Sequence, residues 1–267
     1  MEQGSLGQVL NMKIALIGAG RVASCMGPRL KEAGHTITGV YSRTLSNAQQ
    51  LAQVLDTQAF DNLESIPESD IYLTMLTDDA LVRLAPAIVK GREDSLFVHT
   101  AGSVSIDVWK DAGAIRYGVL YPMQTFSKGA CIDWPDVPVF VEGCNPACMD
   151  AVTKLAHDLS GNVTPLSSKG RKKLHIAAVF ACNFTNRMYA ISEQLLATEG
   201  VPFSVMLPLV RETARKVESI KPHDAQTGPA VRGDRKVISE HLELLKDYPE
   251  FAELYRLISI DINSDLK

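Results

Sequence analysis

Hydrophobic and polar positions follow one rhythm through about the first 165 residues and another beyond them. The apolar run Lys13-Ile14-Ala15-Leu16-Ile17 ends in glycines, and residues 21–33 then carry apolar side chains at helical spacing until Gly34 stops them. Strand, tight turn and helix are the predicted elements. The same reading gives a strand over 36–41, a helix over 46–55, a buried strand over 71–76, and a helix that Thr77-Asp78-Asp79 caps and that runs to Val89. Strands are predicted over 95–99, 115–120 and 162–165, with 137–141 an edge candidate among prolines, and a helix over 146–159. Such alternation predicts an α/β fold with a mostly parallel, doubly wound sheet.

After Ser168 the strand signals stop, and 169–196, 203–219, 235–246 and 249–260 all read as helices. The chain therefore divides, as a sequence, into an extension over 1–11, a sheet domain over 12–166 and an all-helical domain over 167–267. The stretch 173–184 is apolar nearly all round, which predicts central burial, within the domain or in a dimer. His175, Asn183 and Asn186 interrupt it; at 100° per residue they fall within about 80° of one another, a polar stripe on one face.

Composition narrows the function classes. Hydrophobic residues at 46 % and charged residues at 22 % describe a globular chain rather than a disordered one. A net charge of -4 with no Lys/Arg field argues against a nucleic-acid partner. Cys25, Cys131, Cys144, Cys148 and Cys182 include no CxxC pair, and no His stands beside them at zinc-ligand spacing, so no metal site is expected. No signal-peptide pattern opens the chain and no apolar stretch approaches the ~18 residues of a membrane span, so a cytoplasmic protein without a membrane partner is expected.

The first strand runs into Gly18-Ala19-Gly20-Arg21-Val22-Ala23. In a Rossmann unit the first glycine of this pattern permits the turn, the second lets backbone approach a pyrophosphate, and the small third residue lets helix pack on strand. About 20 residues on, where NAD enzymes carry an acid for the ribose hydroxyls, this chain has Ser42-Arg43-Thr44, a guanidinium and two hydroxyls suited to a 2′-phosphate. The expected cofactor is NADP. Arg21 either stacks on adenine or is a solvated first-turn residue. Leu76-Thr77-Asp78 and His99-Thr100-Ala101-Gly102 fall at strand C-terminal ends, where such sheets bind ligands, although Asp78 serves equally as a helix N-cap.

With Thr77-Asp78-Asp79-Ala80, Tyr121-Pro122-Met123-Gln124-Thr125-Phe126 and Thr227-Gly228-Pro229-Ala230-Val231-Arg232-Gly233-Asp234, these segments resemble the Rossmann-like NADP oxidoreductases that carry a helical C-terminal domain of unknown function. The N-terminal part is similar to NADP/deazaflavin-dependent oxidoreductases and pyrroline-5-carboxylate reductases, and the layout to ketopantoate reductases and β-hydroxyacid dehydrogenases. The resemblance implies NADP and often a homodimer through the helical domain. It also implies a Lys and an Asn one turn apart on the first helix of that domain. Here Ile176 follows Lys172 and Ala177 follows Lys173, so that pair is missing. The expected function is an NADP-dependent oxidoreductase acting on a small polar, carboxylate-bearing substrate in the cleft between the domains. His175 is the expected proton donor or acceptor and Asn183 the group that orients a carbonyl; both have the alternative of hydrogen-bonding within a helical core or a dimer interface. Gln124, Asn186 and Arg232 are the expected substrate contacts, with Arg232 alternatively paired to Asp234 or a helix end while Asp234 caps the next helix. A non-catalytic NADP sensor and a reductase using a deazaflavin coenzyme are the rival readings.

Overall fold

The computed structural model describes residues 11–127 and 132–267; Cys131 and all but the last residue of the 1–11 extension lie outside them. The first strands and helices are β1 (Lys13–Ile17), α1 (Arg21–Glu32), β2 (Thr36–Tyr41), α2 (Leu45–Leu55), β3 (Ala59–Phe60), β4 (Ile71–Thr74), α3 (Asp78–Val89) and β5 (Leu96–His99). They are followed by α4 (Asp107–Asp111), β6 (Arg116–Pro122), β7 (Val139–Gly143), α5 (Pro146–His157), β8 (Val163–Pro165) and α6 (Ser168–Ala178). The strands form one eight-stranded sheet in the order β3-β2-β1-β4-β5-β6-β7-β8. All neighbours are parallel except β6 and β7.

Every residue of β4 and β5 is buried, as a strand covered on both faces requires. Alternation along β1 divides the core in two. Ile14 and Leu16 pack with Met26 and Leu30 of α1, Leu55 of α2 and Val152 of α5. Ala15 and Ile17 point the other way, to Leu81 and Ile88 of α3 and Trp109 of α4. Chain order reverses at β1, since β2 lies on one side of it and β4 on the other, and this switch point opens a crevice at the strand C-termini.

Two elements escape the sequence pattern. β3 has two residues and pairs with Val40 and Tyr41 of β2, and α4 has five; neither is long enough to show a period. α4 nevertheless holds the fully buried Trp109 against Phe97 and His99.

The chain forms two compact units, the first ending at Cys182 and the second spanning Asn183–Lys267. α6 therefore belongs to the unit that contains the sheet. Residues Val179–Phe184 are wound as a π-helix, which breaks the single helix expected over 169–196. In the second unit, α7 (Thr185–Ala197), α8 (Leu207–Lys216), α9 (Arg235–Leu244) and α10 (Pro249–Ile262) follow without a strand. Within the single chain the stretch 173–184 is not centrally buried: Ile176 is 59 % exposed and Phe180 64 %. Ala230, Leu245 and Ser259 are the only buried residues among those described after Cys182. Among the described residues no helix is long and apolar enough to cross a membrane.

Candidate nucleotide and proton-transfer site

The turn after β1 is built around glycine. Gly18 has φ +120°, and a Cβ there would stand 2.4 Å from the Met75 carbonyl oxygen, so conformation and space both exclude a side chain. Gly20 is the N-cap of α1, and a Cβ there would meet nothing within 4 Å. No side chain caps α1, which leaves the N–H groups of its first turn directed at this open space, an arrangement that suits a phosphate.

Gly18, Ala19 and Gly20 line a cleft of about 520 Å³ together with Ser42, Arg43, Thr44, Leu76 and Thr77. Eight of the expected cofactor residues thus meet in one space. Asn47, Asp79 and Arg83 line it too and were not anticipated. Asp79 and Arg83 stand one turn apart on α3, so the signal was available as a polar edge on an otherwise apolar helix. Arg43 and Arg83 place two guanidinium groups on a cleft that also carries an open helix N-terminus, and this donor set fits a dinucleotide with an extra phosphate. Arg21 and Val22 open α1 but are not among the lining residues, and neither are Asp78, Thr100 and Ala101. Asp78 does not cap α3: its N-cap is Thr77, without a side-chain bond, and the Asp78 carboxylate accepts from the Ser103 hydroxyl.

A second cluster forms where the loop after β5 meets β6 and α6. Arg171, 1 % exposed, donates through Nε to the Ala101 carbonyl at 3.1 Å and through Nη2 to that of Val104 at 2.6 Å. Its Nη1 pairs with Glu142 Oε2 of β7 at 2.7 Å, and Glu142 also accepts from Ser168 Oγ at 2.7 Å. His99, fully buried, accepts at Nδ1 from the Ala101 N–H at 3.1 Å. Burial, and then the charge of Arg171, push its pKa down to about 3, so it is a neutral structural acceptor. One turn beyond Arg171, the half-buried His175 brings Nδ1 to 3.3 Å from the Tyr121 hydroxyl of β6. Sequence reading missed Arg171, Glu142 and Tyr121, since a buried arginine inside a basic helical stretch looks like its solvated neighbours Lys169, Lys172 and Lys173.

The other expected site residues are solvent-facing. Gln124 is exposed and its Oε1 accepts from the Thr125 N–H at 2.8 Å. Asn183 and Asn186 are exposed residues of the second unit, and the constant 100° step assumed for their stripe with His175 does not hold through the π-wound segment between them. Arg232 is exposed; Asp234 caps α9, accepting from the Val237 N–H at 3.3 Å. The described cysteines Cys144, Cys148 and Cys182 are in no disulfide, and burial raises the pKa of Cys144, which keeps it a thiol.

Comparison with known proteins gives the chain its relatives. Residues 13–102 match the family described as NADP oxidoreductase, coenzyme F420-dependent, and residues 137–262 match a domain of unknown function, DUF2520. No curated protein sequence matches the chain. Among solved structures, a Thermotoga maritima protein, TM1727, is 22 % identical, with 94 % of this chain and 97 % of that one covered at a TM-score of 0.70. An imine reductase from Myxococcus stipitatus in complex with NADP+ is 19 % identical, with 95 % and 92 % covered at 0.66. These two share the fold. A Bacteroides fragilis protein provisionally named an NADP oxidoreductase is 43 % identical, with 96 % of this chain and 99 % of that chain covered at a TM-score of 0.91. At that identity over nearly the whole of both chains, this protein belongs to the same family, the Rossmann-like NADP oxidoreductases with a DUF2520 C-terminal region.

Proposed function

We propose that the protein is an NADP(H)-dependent reductase or dehydrogenase of a small polar, carboxylate-bearing substrate, with His175 as the group that exchanges a proton with it. The cleft beside Gly18 and Gly20 carries this reading, because Arg43, Arg83 and the open α1 N-terminus give it groups suited to phosphates. The pyrophosphate is assigned to the α1 N-terminus and the 2′-phosphate to Ser42, Arg43 and Thr44, with Arg83 as a second cation. Bound NADPH would supply the hydride. The chain must supply or take up the accompanying proton, and in the absence of the relatives' lysine the half-buried imidazole of His175, in the last turn of α6, is assigned to do so. Gln124 is assigned to the substrate's polar groups. The apolar residues left exposed on the helical unit support a homodimer formed through it.

Turnover of NADPH against a panel of 2-oxo acids and cyclic imines tests the proposal. His175→Ala is expected to lower kcat at least about 100-fold, as loss of a general acid does, with NADPH affinity retained. Undiminished turnover in that variant refutes the role. The family's description as F420-dependent favours one second reading, in which a deazaflavin coenzyme is the hydride acceptor. NADPH oxidation that occurs only when that coenzyme is added would establish it in place of a small carbonyl or imine substrate.

A further inference from the structure

We infer that Tyr121 is a positioning residue for His175: its hydroxyl oxygen accepts a hydrogen bond from Nδ1–H and so makes Nε2 the nitrogen that gains and loses the proton. The inference rests on the catalytic role given to His175 above.

Three elements fix the pair. Tyr121 stands in β6, which is hydrogen-bonded on both sides, with Phe140 of β7 as its partner in the antiparallel ladder. His175 stands one turn after Arg171, whose guanidinium is tied to Ala101, Val104 and Glu142, so the start of α6 is anchored to the β5 loop and to β7. Gly102 lies against both rings on the third side: a Cβ there would stand 2.8 Å from His175 Nδ1 and 3.0 Å from the Tyr121 ring, so their contact leaves no room for a side chain at this position. Within this frame Nδ1 and the hydroxyl oxygen are 3.3 Å apart and the rings are inclined at 72°. With Nδ1 engaged, Nε2 is the ring nitrogen left for the substrate.

The direction of the bond follows from the chemistry required of the imidazole. A neutral ring with its proton on Nε2 cannot release it without forming an imidazolate. A ring whose Nδ1–H is held by an acceptor can cycle at Nε2: the cation gives the Nε2 proton to the developing alkoxide or amine, and the neutral ring that remains keeps Nδ1–H on the phenol and takes a fresh proton from water. Burial raises the pKa of Tyr121. The group therefore stays a neutral phenol throughout the cycle, with lone pairs free to accept from Nδ1–H.

The test is nitrogen NMR of the full chain labelled with 15N-histidine, at a pH where His175 is neutral, in wild type and Tyr121→Phe, with His175→Gln assigning the signal. Loss of one hydrogen bond shifts a tautomer ratio by about five-fold, and the proposal requires that shift in Tyr121→Phe to run toward Nε2–H. A ratio equal in the two proteins, or one that moves toward Nδ1–H, overturns it. Because the measurement needs neither substrate nor turnover, it stands apart from the fate of the catalytic assignment: a His175→Ala enzyme of full activity would remove the role and leave the tautomer result intact.

Discussion

At the scale of single residues, two positions are governed by what surrounds them. Gly18 is held at φ +120° with the Met75 carbonyl where a Cβ would be. Gly18→Ala should therefore destabilise the protein by at least about 2 kcal/mol in urea unfolding and abolish NADPH binding; a variant of wild-type stability would contradict the geometry. His99 is neutral because burial and Arg171 hold its pKa at about 3 instead of the ordinary 6.5 of an imidazole. The unfolded chain then binds a proton below pH 6.5 that the folded chain refuses until about pH 3, so the stability due to this residue is complete above pH 6.5 and declines as pH falls. The expected slope is about 1.4 kcal/mol per pH unit in that window. His99→Asn, which keeps an acceptor for the Ala101 N–H, should flatten the slope measured by denaturant titration between pH 6 and 4; an unchanged slope would place the proton linkage elsewhere.

At the scale of elements, α6 is positioned by one buried guanidinium. Removing its partner in Glu142→Ala leaves Arg171 charged and unpaired, with an expected loss of about 3 kcal/mol in urea unfolding. A loss below about 1 kcal/mol would show that the ion pair with Glu142 is not what holds α6. This contact also marks the limit of what could be read from the chain. Long periodic segments such as β1, α1 and α3 declared themselves, as did the glycine turn and Arg43, because each follows a local rule of spacing. β3 and α4 did not, being too short to carry a period, and their existence depends on the neighbours they pair with or cover. Arg171, Glu142, Tyr121 and Gly102 come together from distant positions, so no local pattern could foretell their contact. The stripe of His175, Asn183 and Asn186 was drawn on an ideal α-helix, and the π-wound turn at Val179–Phe184 removes that premise.

At the scale of the molecule, the second unit leaves Leu209, Leu244 and Leu257 more than half exposed while burying almost nothing. A particle of twice the chain mass of 29.1 kDa is the expected result of sedimentation equilibrium at micromolar concentration. A monodisperse monomer would contradict the proposed dimer. The first unit, in contrast, has a complete core on both faces of its sheet and a preformed cleft at the switch point, which is why cofactor recognition is the most exposed of its claims to direct test. That test is calorimetric titration of the protein with NADPH and with NADH, repeated on Arg43→Ala. The predicted result is binding of NADPH at least about 10-fold tighter than NADH, with the preference largely lost in the variant; no binding of either nucleotide by the folded protein, or equal affinity for both, would contradict it.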